Sequence, residues 1–464
     1  MLLSFRFANH RSFRDEQQLN LTPVYDADSD SDQAEQEPVP VAGIFGANAS
    51  GKSNVISAFT YLRTMVQSSD RESEPGVGPR RHPFRLDPEF AKEPSSYAID
   101  LLLGGVRHTY GFTVDDERIA EEWLYSYPYR RKRTIFERTG QSFDWGDESG
   151  KSRIRRLEEI VAPTALFLSV AARFEAHDVA TGRSDETSLS LRALYSWTQR
   201  KVRRIASNPR DPLLLSLASS RLLGTEENRS AIVGLLRAAD VGLEDIFVPE
   251  PQNDSSKNAD ARRLSLPHPM LSEGEESERI QLNFSGLLDE SGIEPAVRPR
   301  RREVMFRHRG AVGSVTLGVR DESSGTLRLL DLASQAIPIL DSGGLVLVDE
   351  IDSSLHPLLT AALVRLFQSP MANLKKAQLV FTSHDATLLG SIDGEDVLRR
   401  DEVWFTSKGD DGASELFPLA EFKPRRQGEN RQKRYLNGSY GAIPELSMDL
   451  FEQAVSSRTD TSGE

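Results

Sequence analysis

Four residues near the start of the chain have the types and spacing of a phosphate-binding loop. Gly46, Gly51, Lys52 and Ser53 satisfy the pattern G-x-x-x-x-G-K-S within the segment AGIFGANASGKSNVISAF. In such a loop, backbone N–H groups surround a phosphate, the lysine reaches the β- and γ-phosphates, and the hydroxyl binds Mg²⁺. The sequence therefore predicts an ATP and Mg²⁺ site. The residues assigned to ATP are Gly46, Asn48, Ala49, Ser50, Gly51, Lys52, Ser53 and Asn54, with Ser53 also assigned to the metal.

The elements on both sides of this loop are those that the motif requires. An apolar run at 39–45 precedes it, and Val55, Phe59, Leu62 and Val66 follow at helical spacing. A strand, a loop and a helix in this order are the context that separates a functional loop from a chance match. We therefore interpret the segment as a nucleotide-binding loop.

Acidic residues and a histidine follow two later apolar runs. Asp349 and Glu350 come directly after the run at 345–348, and His384 follows the run at 379–381. Because parallel strands end at one edge of a sheet, these side chains are predicted to meet the phosphate loop there. Asp349 is expected to hold Mg²⁺ through water, Glu350 to polarise the attacking water, and His384 to contact the γ-phosphate.

A small polar loop opens another predicted helix upstream of the acidic strand. The segment RDESSGTLRLLDLASQAI contains Ser323, Ser324, Gly325 and Thr326. A helix N-terminus with such residues can bind a phosphate.

Together these motifs resemble the ATP-binding-cassette (ABC) ATPase superfamily, in the branch that holds RecF, the SMC proteins and the double-strand-break ATPases. The resemblance implies a signature motif at 323–326 that acts on the nucleotide of a second subunit, in a head-to-head dimer or a larger oligomer. It also implies a D-loop made of Ser353, Ser354, Leu355 and His356, and a switch role for His384. The signature departs from Leu-Ser-Gly-Gly-Gln, and the segment HPFRLDPEF contains no Q-loop glutamine.

A narrower resemblance covers nearly the whole chain. The segments LLSFRFANHRSF, GANASGKSN, DEIDSSLHP, TSHDATLL and YLNGSYGAIP look like those of prokaryotic ATPases of anti-phage defence, of the AbiL, RloA and PARIS AriA type, which are relatives of the OLD proteins. This implies an ATPase that senses or regulates in an abortive-infection system, with DNA or a phage protein as trigger. After His384 we find no Toprim motif, so a separate nuclease or toxin is expected as effector.

Other functions stay open at this stage. A RecF-like DNA-repair ATPase is the main alternative, and it predicts a salt-dependent DNA groove. A transporter's nucleotide-binding subunit is disfavoured by the long distance between phosphate loop and signature, and a non-hydrolysing scaffold by the intact Lys52 and Glu350. Fold resemblance by itself does not choose among them.

The predicted fold class is α/β, an ABC-type ATPase head with an antiparallel β-lobe and an inserted helical domain. The first half of the head with the lobe is assigned to 1–150, the helical insert to 151–248 and a flexible loop to 249–280. The second half of the head is assigned to 281–450, and a disordered tail to 451–464. Short alternating strands at 96–138 predict the lobe, and apolar residues at helical spacing through 155–245, including the segment ETSLSLRALYSWTQRKVRRIAS, predict the insert.

The composition and charge of the chain exclude some kinds of site and bear on its location. The 464 residues include no cysteine, which excludes disulfides and thiolate zinc sites, and the net charge of −13 argues against coating of nucleic acid along the whole surface. Basic runs occur nevertheless at 130–133 and 298–309. No segment reads as a signal peptide or as a membrane span, so a cytoplasmic protein without a membrane partner is expected.

Overall fold

The computed structural model describes residues 1–25, 37–72, 76–146, 153–178, 186–205, 225–239, 242–249, 304–425 and 429–443, with a few isolated positions beyond. At its centre is a six-stranded sheet. Its strands are β3 (Val41–Gly46), β9 (Val202–Ile205), β13 (Leu345–Val348), β14 (Gln378–Ser383), β17 (Val403–Lys408) and β18 (Ser414–Pro418).

The order of this sheet places the phosphate-loop strand in its interior. The strands run β18-β17-β3-β14-β13-β9, all parallel except β18. Short apolar strands buried on both faces are typical of a parallel sheet. Since β3, β14 and β13 end at one edge, the predicted convergence of the phosphate loop with the residues after β13 and β14 is confirmed.

A second, seven-stranded antiparallel sheet forms the β-lobe. Its order is β2-β1-β4-β5-β6-β7-β8. The strands are β1 (Leu2–Ala8), β2 (Gln17–Asn20), β4 (Ser95–Leu103), β5 (Val106–Val114), β6 (Ile119–Tyr127), β7 (Arg133–Thr139) and β8 (Ser142–Trp145). The predicted lobe at 96–138 is confirmed. Two small sheets complete the strands, formed by β10 (Leu243–Phe247), β11 (Met305–Gly310) and β12 (Gly313–Gly318), and by β15 (Ser391–Ile392) with β16 (Glu395–Asp396).

Helices cover both faces of the central sheet. They are α1 (Lys52–Glu72), α2 (Phe167–Asp178), α3 (Glu186–Arg200), α4 (Glu226–Ala239), α5 (Ser324–Ser342), α6 (Pro357–Gln368) and α7 (Arg431–Leu436). Short 3₁₀ helices lie at Phe90–Lys92, Pro128–Arg130, Arg153–Glu159, Ala386–Leu389, Arg400–Glu402 and Leu419–Phe422. No helix among the described residues has both the length and the apolar character needed to cross a membrane.

The alternation of side chains along β13 shows how the layers are arranged. Leu345 and Leu347 belong to an apolar core shared with α1, α2, α3 and the β-lobe, whereas Val346 and Val348 belong to a second core with α4, α5 and α6. Successive side chains of a strand point to opposite faces of the sheet. The central sheet is therefore the middle layer, between the lobe side and the side of α5.

A buried carboxylate joins the lobe to the helices. Glu122 on β6 is fully buried and accepts hydrogen bonds from the N–H groups of Phe167 (2.6 Å) and Leu168 (3.0 Å) at the start of α2. Arg138 on β7 lies 3.5 Å away. Burial raises the pKa of Glu122, and Arg138 opposes that shift. This cluster supplies a negative charge where the unpaired N–H groups of α2 favour one.

One part of the predicted helical insert is wrong. The segment ETSLSLRALYSWTQRKVRRIAS ends its helix at Arg200, and residues 202–205 form β9 at the edge of the central sheet. Val202 and Ile205 are fully buried and pair in parallel with β13. The tertiary environment therefore overrides a helical spacing that continued only by chance.

The predicted loop at 249–280 lies almost wholly outside the described residues, as does the tail at 451–464, and the domain boundaries stay predictions.

Candidate nucleotide-binding site

The phosphate loop occupies the turn between β3 and α1. β3 ends at Gly46 and α1 begins at Lys52, which leaves a short segment of small residues between them. Gly51 has φ of +111°, and a Cβ there would lie 2.8 Å from the Ser414 hydroxyl. Both the backbone conformation and the close neighbour thus require glycine at this position. Asn48, Ala49 and Ser50 complete the predicted loop.

Lys52 is nearly buried at the base of the loop. Its Nζ donates hydrogen bonds to the carbonyl oxygens of Gly46 (2.8 Å) and Ala47 (2.7 Å). Burial lowers the pKa of Lys52 to about 8, although Asp352, Glu350 and Asp349 oppose this shift. A desolvated ammonium group held beside the loop is suited to an anionic phosphate, because the attraction is strong where water is excluded.

Asp349 is the centre of a small hydrogen-bond network. The Ser53 hydroxyl donates to Oδ1 of Asp349 at 2.8 Å, which joins two residues that the sequence separates by 296 positions. The Thr382 hydroxyl donates to the same oxygen at 2.7 Å and accepts from the backbone N–H of Glu350 at 2.8 Å. Thr382 therefore fixes both acidic residues. It follows the apolar run that the sequence identified, but it was given no role there.

Glu350 and His384 face each other across the site. Nε2 of His384 lies 3.8 Å from Oε1 of Glu350, and both side chains are partly exposed. Glu350 has φ of +52°, a conformation that non-glycine residues seldom adopt and that is common at active sites. The structure thus brings together the two residues that the sequence assigned to catalysis.

These groups line one open cavity of about 840 Å³. Its lining residues are Ser12, Asn48, Ala49, Gly51, Lys52, Ser53, Asn54, Glu350, His384 and Lys408. Ser12 and Lys408 were not predicted. Ser12 lies in the quoted amino-terminal segment, and its hydroxyl accepts from the Asn54 amide at 2.7 Å. Nothing in the sequence around Lys408 marks it.

The oxygen donors fit Mg²⁺ better than other metals. Ser53 and Asp349 offer a hydroxyl and a carboxylate at one point, and Mg²⁺ in nucleotide sites uses few protein ligands together with phosphate oxygens. Among the described residues, no group of three or more His, Cys, Asp or Glu side chains forms a metal cage. Ser53 and Asp349 therefore fit Mg²⁺ whose other ligands are phosphate oxygens and water.

The predicted signature and D-loop lie next to each other. Ser323 is the N-cap of α5 and accepts from the Thr326 N–H at 3.0 Å, with Ser324 beginning the helix. A Cβ on Gly325 would lie 2.8 Å from the carbonyl oxygen of Ser354. None of these residues belongs to the set that lines the cavity in the same chain. In the D-loop, Ser353 donates its N–H to Glu350, and Leu355 leads to His356, which caps α6.

A buried arginine connects the signature helix to the acidic residues. Arg328 on α5 is fully buried and donates to the carbonyl oxygens of Asp349 (2.9 Å) and Glu350 (3.0 Å). Burial lowers its pKa, and Asp331 is the main group that opposes the shift. Arg328 was not among the predicted site residues, although a lone arginine in the apolar segment TLRLLDLASQAI is an available signal. The two hydrogen bonds of Arg328 link the position of α5 to that of Asp349 and Glu350.

Comparison with known proteins gives the following matches. Against solved structures, the chain is similar to the SMC head domain from Thermotoga maritima, at 12% identity and a TM-score of 0.38, covering 90% of this chain and 98% of the other. It is also similar to a Pyrococcus furiosus Smc head domain with an extended coiled coil, bound to the C-terminal domain of ScpA. That match has 12% identity and a TM-score of 0.40, and covers 91% and 97% of the two chains. No curated protein matches the chain.

A family model matches most of the sequence. The match extends over residues 41–390 and so includes the phosphate loop, the signature segment, the acidic strand end and His384. Its description is "AAA domain, putative AbiEii toxin, Type IV TA system". The chain belongs to this AAA-domain family.

Proposed function

We propose that the chain is an ATPase that binds MgATP at the phosphate loop and hydrolyses it to ADP and phosphate. The observation that carries this proposal is the network in which Ser53, Thr382 and Asp349 meet at hydrogen-bond distance beside Lys52. A metal-binding pair, a phosphate-binding lysine and a water-orienting glutamate are the parts that phosphoryl transfer requires.

Each residue has a defined task in this reaction. Lys52 neutralises phosphate charge, while Ser53 and Asp349 hold the metal, which offsets charge on the phosphate oxygens. Glu350 orients the attacking water, and His384, 3.8 Å from that carboxylate, contacts the γ-phosphate. Because the chemistry depends on positioning and charge stabilisation, small displacements of Asp349 or Glu350 reduce turnover strongly.

The signature completes the site from a second copy of the chain. Ser323, Ser324, Gly325 and Thr326 lie outside the cavity of their own chain, at the exposed start of α5. A helix N-terminus attracts a phosphate group. Two heads that face each other thus bury two nucleotides. In each chain, Arg328 connects the signature helix to the backbone of Asp349 and Glu350 by hydrogen bonds.

The biological role that we propose is regulation in a prokaryotic anti-phage system. The AbiEii-type description of the family and the resemblance to AbiL, RloA and PARIS AriA support it. The ATP-driven dimer holds or releases a separate nuclease or toxin chain when a DNA or phage-protein trigger is sensed. Co-purification from the native host with its neighbouring genes, followed by mass photometry with and without ATP, tests this role. Isolation of the chain without any effector would contradict it.

The hydrolytic role is tested by mixing two inactive variants. Lys52→Ala removes phosphate binding, and Ser323→Arg blocks the signature. If the signature acts in trans, a mixture of the two forms heterodimers with one intact composite site, and ATPase activity returns. Mixing two batches of the same variant is the control. No recovery in the mixture would overturn the trans assignment, and full activity of Lys52→Ala alone would overturn the assignment of the ATP site.

Glu350→Gln is expected to trap closed, ATP-bound dimers.

A second candidate function, binding of DNA, is supported by the tip of the β-lobe. Tyr129 between β6 and β7 is 98% exposed, with φ of +55°, and exposed Arg131 and Lys132 follow it. An exposed aromatic ring beside cations is suited to stack on a base of single-stranded DNA. Salt-dependent DNA binding that Tyr129→Ala weakens would favour this function, and unchanged binding would remove its structural basis.

A further inference from the structure

A second cavity of about 680 Å³ lies along α1, on the side of the β-lobe. Its wall includes Arg11, Tyr61, Arg71, Arg80, His82 and Arg204. Among the described residues, none that lines this cavity also lines the nucleotide cavity. Its size lies within the range of small-molecule sites in proteins, roughly 300–1,000 Å³. It is therefore large enough for an organic ligand and separate from the predicted ATP site.

The described residues that line this cavity carry a net positive charge. Four arginines from distant parts of the chain line it, and Glu72 is the one carboxylate among the described lining residues. Within the described part of the chain, none of the four guanidinium groups makes an ion pair. This concentration is notable in a protein with a net charge of −13. Guanidinium groups bind phosphate through paired, charge-assisted hydrogen bonds, so the cavity is suited to a phosphate-bearing anion.

A neutral donor adds to the arginines. The phenolic oxygen of Tyr61 is buried and has no hydrogen-bond partner in the described structure. Burial raises the pKa of this phenol, so the group keeps its proton at neutral pH. A buried donor without an acceptor is unfavourable, and a phosphate oxygen in the cavity would satisfy it. The Tyr61 ring is held by Tyr97, 4.8 Å away between ring centroids.

The histidines beside the cavity respond to the same positive field. The pKa of His82 is lowered by burial and then by the charges of Arg11 and Arg85. The pKa of His10 is lowered by burial and then by Arg11 and His82. Both rings therefore stay neutral around pH 7, and the arginines supply the charge.

One turn connects this cavity to the nucleotide site. His10 and Phe13 exchange backbone hydrogen bonds of 2.8 and 2.9 Å, which closes a tight turn around Arg11 and Ser12. Arg11 lines the arginine-rich cavity, whereas Ser12 lines the nucleotide cavity and contacts Asn54. Arg11 and Ser12 are thus consecutive residues of one turn, and each faces a different cavity.

We propose that this arginine-rich cavity is a second ligand site, which binds a small molecule with several phosphate groups and is distinct from the ATP site. Guanidinium groups on α1, on the loop that follows it and on β9 hold the phosphates, and the Tyr61 hydroxyl donates to one of them. Occupancy then influences the nucleotide site through the turn at 10–13.

The test uses inorganic tripolyphosphate as probe and the full chain with Lys52→Ala, so that binding is measured without a working ATP site. Isothermal titration calorimetry is expected to show one bound tripolyphosphate per chain. In this background, the double substitution Arg80→Gln with Arg204→Gln is expected to weaken binding at least tenfold, and Tyr61→Phe several-fold. Arg237→Gln is the matched control, because Arg237 is also exposed but lies on α4, away from the cavity.

Thermal melting of each variant shows that it is folded, which is expected because Arg80 and Arg204 are exposed. Three outcomes would overturn the proposal: no binding of tripolyphosphate, equal weakening by the Arg237 control, or binding only of a long single-stranded oligonucleotide. The last outcome would make the cavity part of a nucleic-acid groove. Since ATP hydrolysis is not measured, failure here leaves the ATPase proposal intact, and the reverse is also true.

Discussion

Replacing Thr382 with Val tests whether the acidic residues need the hydrogen bonds that hold them. Thr382 is fully buried, and the substitution keeps its shape while it removes the hydroxyl that contacts Asp349 and the Glu350 N–H. A hydrogen bond to a charged group contributes about 1.5–3 kcal/mol and a neutral one about 0.5–1.5 kcal/mol. If the full loss of roughly 2–4.5 kcal/mol acts on the transition state, kcat falls by about 30- to 2,000-fold.

The assay is steady-state ATPase activity, with ATP affinity measured separately by calorimetry. We expect kcat to fall much more than the affinity, because Lys52 and the phosphate loop are untouched. Thr360→Val is the matched control, since Thr360 is equally buried on α6 but its hydroxyl has no partner among the described residues. A Thr382→Val enzyme with the parent's kcat would refute the positioning role. An equal loss of activity in the Thr360 variant would assign the effect to general destabilisation.

Three further predictions follow from buried or strained groups. Glu122→Ala leaves Arg138 without its carboxylate partner and is expected to cost about 3–5 kcal/mol in urea unfolding, whereas a loss below about 1 kcal/mol would contradict the cluster's role. Burial lowers the pKa of His10 to about 3, so the unfolded chain binds its proton more readily. The free energy of unfolding should therefore fall by about 2 kcal/mol from pH 7 to pH 5. His10→Gln should remove this pH dependence, and its persistence in that variant would contradict the assignment to His10. Gly51→Ala should weaken ATP binding at least tenfold in calorimetry. Gly104→Ala, also at positive φ but with open space around it, should not, so equal affinities in the two variants would disprove the steric argument.

The site residues that were predicted from the sequence all lie in a recognisable local sequence pattern. The phosphate loop, Asp349 and His384 each follow a short apolar strand, and the parallel sheet places such strand ends together. The α/β head and its antiparallel lobe were predictable for the same reason, because their strands alternate or are continuously apolar over short runs.

What the sequence did not predict depends on partners that are distant along the chain. Arg328 acquires its role only because α5 packs over the end of β13, and Thr382 only because its hydroxyl lies between two acidic residues. The strand at 202–205 was mistaken for helix because its pairing partner, β13, lies far downstream. Such features follow from packing, which a single sequence encodes only weakly.

The position of β3 has a consequence for how the protein is made. Both neighbours of this strand, β14 and β17, come from the last quarter of the chain, although β3 itself ends at Gly46. At about 5–20 residues per second, a ribosome needs on the order of 20–70 s to synthesise the segment between them. During that time β3 has no strand partner on either side and the phosphate loop has no acidic partner, and an apolar strand with unpaired edges favours aggregation. An ATP site with its acidic partners can therefore form only after β14 and β17 have been synthesised, and ATP would stabilise only chains that extend at least that far.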